Sequence, residues 1–306
     1  QGAMADFCAG NGMAPPHIVV GIPNTQRTRD LTPMKAADRP EAGGGAAFLR
    51  FLREELFPLI EKGYRTLPYR ILYGHSLAGM FAVHTLLTAP EVFQAHIAAS
   101  PWLVVADDYV VKRADDLLAK RMLPNAFLYM TVGDEPEVLP ALKAFREWLE
   151  EKNIPGLRWE LENLTKDNHG SLTLKTLYAG IEKLYAGWTL PKAKARKGAE
   201  AVEEHYAGLS RTFGYEVRPP EEVVNQAGYL LLLQEKDAAK AIDVFRLNVR
   251  LYPESANVYD SLGEALEGAG KKKEAAAEYA KAVERGEALK DPNLAAFKEH
   301  LKRVME

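Results

Sequence analysis

One cysteine in 306 residues excludes an intrachain disulfide, so no covalent staple ties the chain to an oxidising compartment or bars it from one. A basic excess is missing too. The 39 Lys and Arg against 42 Asp and Glu leave a net charge of −3, which argues against a nucleic-acid binder, because such proteins gather positive charge on one face. No apolar run reaches the roughly 20 residues of a membrane-spanning helix. The opening residues, Gln1-Gly2-Ala3-Met4-Ala5-Asp6-Phe7, lack the basic stretch followed by an apolar one that marks a signal peptide. The sequence starts at Gln1 rather than methionine, as expected of a processed, trimmed or partial chain, and a cytoplasmic and a periplasmic setting both stay open. What is present is ordinary globular composition, 47% hydrophobic and 26% charged, at a length that suits two domains.

Two textures meet near residue 190. Before it, short apolar runs alternate with amphipathic stretches. His17 to Ile22 is β-branched and stopped by Pro23-Asn24, the pattern of a buried strand. Phe48 to Ile60 carries a broad apolar helical face. Strands are expected at Arg70–Tyr73, Ala95–Ala99, Ala126–Val132 and Arg158–Leu164, with helices over Leu77–Leu87, Leu139–Lys152 and Leu172–Tyr185. Strands alternating with helices at this spacing predict a mainly parallel sheet covered on both faces, an α/β fold. After Trp188 comes a basic polar run, and residues 191–218 read as a linker between an α/β domain at 1–190 and a smaller all-α domain at 219–306. In that last part Ala241 and Ala275 lie 34 residues apart, as do Phe245 and Tyr279, and Gly228-Tyr229 is echoed by Leu262-Gly263. This period resembles the tetratricopeptide repeat, whose helix pairs bury their faces by stacking on neighbours. Only about two units fit, so the repeats are expected to lean on the α/β domain or on another subunit. A protein partner or self-association is therefore expected through residues 219–306.

Gly74-His75-Ser76-Leu77-Ala78-Gly79 follows a short strand and opens a helix. That is the context of a nucleophile elbow, where a tight turn exposes a serine hydroxyl between small residues. Ala78 stands where glycine is usual, with Gly79 next. A serine needs a base to take its proton, and in this fold the base follows the last strand. Of the histidines, His169 in Lys166-Asp167-Asn168-His169-Gly170-Ser171 has that place. The acid should follow the strand ending at Val132, where Asp134, Glu135 and Glu137 all offer carboxylates. Glu135 is favoured and the other two stay open; Asp167 is a weaker rival, too near His169 in sequence. One oxyanion-hole N–H is expected from Leu77, the residue after the nucleophile. Gly43-Gly44-Gly45 comes one step too late in the fold for the second and reads as a mobile loop. No metal and no cofactor is expected.

Ile18 to Asn24, Arg27 to Pro33, the Gly74 to Gly79 elbow, Ser100-Pro101-Trp102 and His169-Gly170-Ser171 occur in that order. Together they resemble the esterase family of α/β-hydrolases that includes esterase D and the enterochelin (trilactone siderophore) esterases. The resemblance covers roughly residues 5–188, and the tail is similar to the tetratricopeptide-like extension of some bacterial members. It implies Ser76 as nucleophile, His169 as base and Glu135 as acid, with Asn24, Arg27 and Trp102 near the pocket mouth. Family members carry several strands before the equivalent of Ile18–Ile22, including the one whose following loop supplies the second oxyanion donor. The expectation is thus a sheet lacking its N-terminal strands, with an open edge and, if nothing replaces that donor, a rate lower by about 100–1000-fold. The leading reading is a serine carboxylic-ester hydrolase acting on small or short-acyl esters through an acyl-enzyme. Its alternatives are a siderophore trilactone esterase, an impaired hydrolase scaffold carrying a repeat interaction module, and, last, a peptidase or acyl transferase with the same triad.

Overall fold

Short runs rich in apolar residues become the strands β1 (Ile71–His75), β2 (Ala95–Ala99), β3 (Ala126–Val132) and β4 (Leu157–Asn163). They form one parallel sheet in the order β1-β2-β3-β4. The computed structural model describes residues 1–35, 39–119, 121–123 and 125–306. Within them the chain divides into two compact units, Gln1–Trp188 with Phe213–Tyr215, and Thr189–Thr212 with Glu216–Glu306.

In the first unit the helices are α1 (Gly2–Gly10), α2 (Arg27–Leu31), α3 (Gly45–Phe51), α4 (Phe57–Gly63), α5 (Leu77–Thr88), α6 (Val105–Lys112), α7 (Ala114–Leu118), α8 (Leu139–Lys152) and α9 (Leu172–Leu184). A π-helical turn, Leu52–Leu56, joins α3 to α4. Because side chains alternate across a strand, the sheet presents two apolar faces and needs cover on both. Leu128 and Met130 of β3 join a core with Met80, Leu86 and Leu87 of α5 and Phe145 and Leu149 of α8. On the other face α9 lies close enough to β2 that a Cβ on Gly180 would come within 2.7 Å of the Ile97 side chain. There Thr131 and Thr176 hydroxyls meet at 2.6 Å and the Tyr73 hydroxyl donates to the Thr173 carbonyl at 2.9 Å. The half-exposed β4 alternates as an edge strand should: Trp159 and Leu161 face the core, while Glu162 accepts from the Tyr129 hydroxyl at 2.6 Å.

Two expectations are corrected. His17–Ile22 is no buried strand: Ile18, Val19, Val20 and Ile22 are 47, 46, 41 and 37% exposed, and no described strand pairs with them. Periodicity reports which residues favour extended backbone, but a strand also needs a ladder partner. The stretch 191–218, expected as a linker, holds α10 (Lys192–Ala195) and α11 (Ala199–Phe213). The basic run masked an apolar helical stripe, Val202, Tyr206 and Leu209, all buried.

The second unit continues with α12 (Glu221–Tyr229), α13 (Ala238–Leu251), α14 (Ala256–Gly268), α15 (Lys272–Leu289) and α16 (Leu294–Met305). The two helix pairs repeat one contact. Gly228 sits under the Phe245 ring and Gly263 under the Tyr279 ring, so close that an added Cβ would lie 2.5 and 2.6 Å from ring carbons. Helix α15 ends on a left-handed residue, Lys290, with φ 54°, where the chain turns away. No helix of the described residues is long and apolar enough to cross a membrane.

Candidate active site

Ser76, Ser100, Glu135 and His169 follow the carboxyl ends of the parallel strands β1, β2, β3 and β4, where open α/β sheets place their sites. After β1 the chain reverses through Ser76, whose backbone adopts φ 60° and ψ −119°. A residue with a side chain is strained there, and hydrogen bonds hold it. The Ser76 N–H donates to the Ala99 carbonyl at 2.9 Å, and its own carbonyl accepts from Met80 N–H at 2.9 Å and Trp102 N–H at 3.0 Å. The turn is tight enough to require Gly74, because a Cβ there would fall 2.2 Å from the Ala78 carbonyl oxygen. Gly79 likewise packs on Pro101, with 3.0 Å available to a Cβ. The substitution of alanine at 78 is therefore accommodated, since the glycine on the strand side makes the close approach. Leu77 is the first residue of α5, so its N–H has no acceptor within the helix and lies at the positive end of the helix dipole.

The three carboxylates after β3 separate by burial. Glu135 is 2% exposed, whereas Asp134 and Glu137 lie on the surface. The Glu135 carboxylate receives three donors: the Ser100 hydroxyl on Oε1 at 2.7 Å, the Gly133 N–H on Oε2 at 2.9 Å, and His169 Nδ1 on Oε1 at 2.5 Å. Burial pushes this carboxyl up, but the hydrogen bonds from Ser100, Gly133 and His169 outweigh it and hold it below its ordinary value. With Glu135 ionised, Nδ1 of His169 carries the proton and Nε2 is the free acceptor. The loop bearing His169 is pinned to the loop bearing Glu135 by the Asp134 N–H, which donates to the Asp167 carbonyl at 2.8 Å. Gly133 permits that approach, because a Cβ would sit 2.5 Å from the same carbonyl oxygen. The Asp167 side chain, the weaker rival for the acid, is taken by Lys175 Nζ at 2.8 Å and the Ser171 hydroxyl at 3.0 Å. Asn168 Oδ1 accepts the Gly170 and Ser171 N–H groups, both at 3.0 Å, which closes the turn around His169.

The elbow and the histidine loop touch directly. His75 Nε2–H donates to the His169 carbonyl at 2.7 Å, and the two rings lie 4.4 Å apart. Burial holds the His75 imidazole below its ordinary value, so the ring stays neutral and serves as a donor. Of the residues expected at the pocket mouth, Trp102 sets its ring edge-on to His169 at 5.6 Å, and Arg27 Nη2 donates to the His75 carbonyl at 3.2 Å. Asn24 instead bonds Asp30 at 3.4 Å, alongside Arg29 on the same carboxylate. No hydrogen bond joins Ser76 Oγ to His169 among the described contacts. Nor is the triglycine a loose loop: Gly43, Gly44 and Gly45 donate to Thr32 Oγ1, the Arg29 carbonyl and the Thr32 carbonyl, at 2.8, 2.8 and 2.9 Å. All three N–H groups are thereby occupied. Ser100 and His75 are the site residues that sequence reasoning missed; only Ser100-Pro101-Trp102, standing between two strands, hinted at the first.

A shallow concavity of about 480 Å³, lined by Tyr129, Glu162, Tyr178 and their neighbours, contains none of Ser76, Ser100, Glu135 and His169. Asp260, Glu264 and His300, the one group of three potential metal ligands among the described residues, belongs to the helical unit.

The family model described as Putative esterase matches residues 2–155. The ferri-bacillibactin esterase BesA of Bacillus subtilis is 34% identical over a stretch covering 34% of this chain and 42% of that protein. A siderophore enterobactin esterase of Emericella nidulans is 36% identical over 28% of this chain and 34% of that one. The chain thus spans well under half the length of these curated relatives. Among solved structures, an IroE-like serine hydrolase of Shewanella oneidensis superposes with a TM-score of 0.70 at 23% identity, covering 81% of this chain and 84% of that chain. An uncharacterised protein of Capnocytophaga ochracea reaches 0.68 at 18% identity over 99% of this chain and 86% of that chain. These two likenesses speak to the fold, an α/β-hydrolase-type sheet followed by a helical region. With the family model covering half the sequence and the elbow lying inside it, this chain belongs to that esterase family.

Proposed function

We propose that the protein hydrolyses small or short-acyl carboxylic esters through an acyl-enzyme formed on Ser76. The observation that carries this reading is the buried Glu135 carboxylate bonded to His169 Nδ1, on the same sheet edge as a serine in an elbow turn. In the proposed mechanism Ser76 Oγ attacks the ester carbonyl while His169 Nε2 takes its proton. Glu135 stabilises the resulting imidazolium without itself taking the proton. The Leu77 N–H donates to the oxyanion. His169 then returns the proton to the leaving alcohol, and a water activated by the same imidazole releases the acid. Release of p-nitrophenol from p-nitrophenyl acetate or butyrate, lost in Ser76→Ala, is the expected result; an inert protein that takes up no fluorophosphonate would overturn the reading.

A narrower version is favoured by the names of the relatives, which are esterases of bacillibactin and enterobactin. In it the substrate is a siderophore ester and Arg27, whose guanidinium reaches the elbow, meets its anionic groups. Faster turnover of a catecholate trilactone than of p-nitrophenyl butyrate would support it, and equal or slower turnover would remove it. We further read 1–190 as the esterase domain and 219–306 as a tetratricopeptide-like module for a protein partner or self-association. The recurring glycine-under-aromatic contact of Gly228 and Gly263 supports the repeat.

A further inference from the structure

Ser100 follows β2 and is fully buried, with φ 40°. A buried non-glycine residue in that region costs backbone energy, and such strain persists only where the surroundings impose it. Its hydroxyl explains what the turn achieves. Oγ lies 2.7 Å from Glu135 Oε1 and 3.1 Å from His169 Nδ1, so it sits at the junction of the acid and the base. The two residues after it complete the contacts of this turn. Pro101 packs on Gly79 of α5, and Trp102 gives its N–H to the Ser76 carbonyl and its ring edge to His169.

We propose that Ser100 is a positioning residue of the esterase site, whose hydroxyl fixes the Glu135 carboxylate so that Oε1 points at His169 Nδ1. The inference rests on the triad reading above. A carboxylate on a three-bond side chain has many rotamers, and each must be removed for Oε1 to stay on the imidazole. The Gly133 N–H holds one oxygen and the Ser100 hydroxyl the other. Ser100 donates its proton to Oε1, leaving an oxygen lone pair directed toward the Nδ1–H. The imidazole proton is thus shared between Oε1 and Oγ, and the ring cannot turn away without breaking two contacts. Ser100 touches neither substrate nor the reacting atoms; its effect passes through Glu135 and His169.

Two substitutions remove the hydroxyl with opposite effects on the backbone. Ser100→Ala keeps the strained φ, whereas Ser100→Gly relieves it. Both are expected to lower kcat by about 10-fold or more, the scale of a lost hydrogen bond to a charged group, with KM unchanged, while their melting temperatures diverge. In the Glu135→Gln background the added Ser100→Ala should cost less than threefold, because the two residues act as a unit. Histidine-selective ¹⁵N NMR gives a readout independent of turnover: the His169 Nδ1–H signal, protected in the parent, should broaden or shift in both variants. Unchanged kcat together with an unchanged His169 signal would overturn the role of Ser100. An equal loss in the Glu135→Gln background would overturn it as well. If Ser76→Ala kept full activity the triad reading itself would fail, and the NMR comparison would still decide whether Ser100 orders the Glu135–His169 pair.

Discussion

Left-handed backbone at residues other than glycine ends helices in both units, at Asn153 after α8 and at Lys290 after α15, and in the α/β unit it also serves two strand ends. In the α/β unit, Ser76 and Ser100 adopt it at the ends of β1 and β2, with hydroxyl-bearing side chains and several hydrogen bonds around each. In the helical unit, Lys236 and Lys290 adopt it at helix ends, with long side chains free to point outward. The strain is of similar size per residue, yet only the first pair gathers polar groups from neighbouring strands. A strained residue that does no more than stop a helix is replaceable by glycine; a strained residue holding a functional group is not. Each of the following measurements would break or sharpen that contrast.

The largest effect falls on the elbow. Ser76→Ala should lower kcat for p-nitrophenyl butyrate by about 10⁴-fold or more, with melting unchanged or raised, as read by initial rates beside a thermal scan. Glu135→Gln comes next, at roughly 10³–10⁴-fold in kcat, because a neutral amide neither stabilises the imidazolium nor fixes its tautomer. Retention of more than a tenth of the parent rate would remove Glu135 from the account.

Stability effects are smaller. Gly74→Ala forces a Cβ to within 2.2 Å of a backbone carbonyl and should cost about 2–3 kcal/mol, a drop of several degrees in Tm. His96 offers a pH test. It is fully buried, and burial pushes its pKa down to about 3 against a smaller opposing effect of the Phe127 backbone. Neutral in the folded state, it leaves stability complete above about pH 6.5, where the unfolded ring is also neutral. Below that the unfolded chain binds the proton first, and stability falls by about 1.4 kcal/mol per pH unit down to about pH 3. Urea midpoints at pH 7.5, 6 and 5 should fall at least this steeply, because burial also lowers His84, to about 4, and His96→Met should lessen the slope without removing it. The smallest effect is Lys290→Gly, expected to raise stability by about 0.5–1 kcal/mol with no change in ester turnover. A gain as harmless from Ser100→Gly would erase the distinction between the two uses.

Much of the α/β unit was legible because its signals are local. β2 and β3 are apolar runs bounded by polar residues, and both begin and end where the pattern places them. The elbow is readable because Gly74 sits four residues from the Ala78 carbonyl it must clear, with Ser76 between them, all within one short segment. The choice among Asp134, Glu135 and Glu137 was not decidable, since one residue of loop reverses a side chain, and what separates them is burial supplied by distant segments. Ser100 was hidden for the same reason: its partners come from 35 and 69 positions further along. Ile18–Ile22 failed in the opposite direction. Its composition reads as strand, but pairing is a property of two segments, and no described one lies beside it. The helical face of α11 was obscured by neighbouring lysines, a reminder that charge runs and apolar stripes coexist on one helix.

The central claim, that Ser76 is a nucleophile activated by His169, is tested most directly by fluorophosphonate labelling of the parent, Ser76→Ala and His169→Ala proteins, with the labelled peptide identified by mass spectrometry. The account predicts one adduct, on Ser76, absent from Ser76→Ala and slowed at least 100-fold in His169→Ala. Undiminished labelling in Ser76→Ala, or labelling of Ser76 at the parent rate without His169, would contradict it.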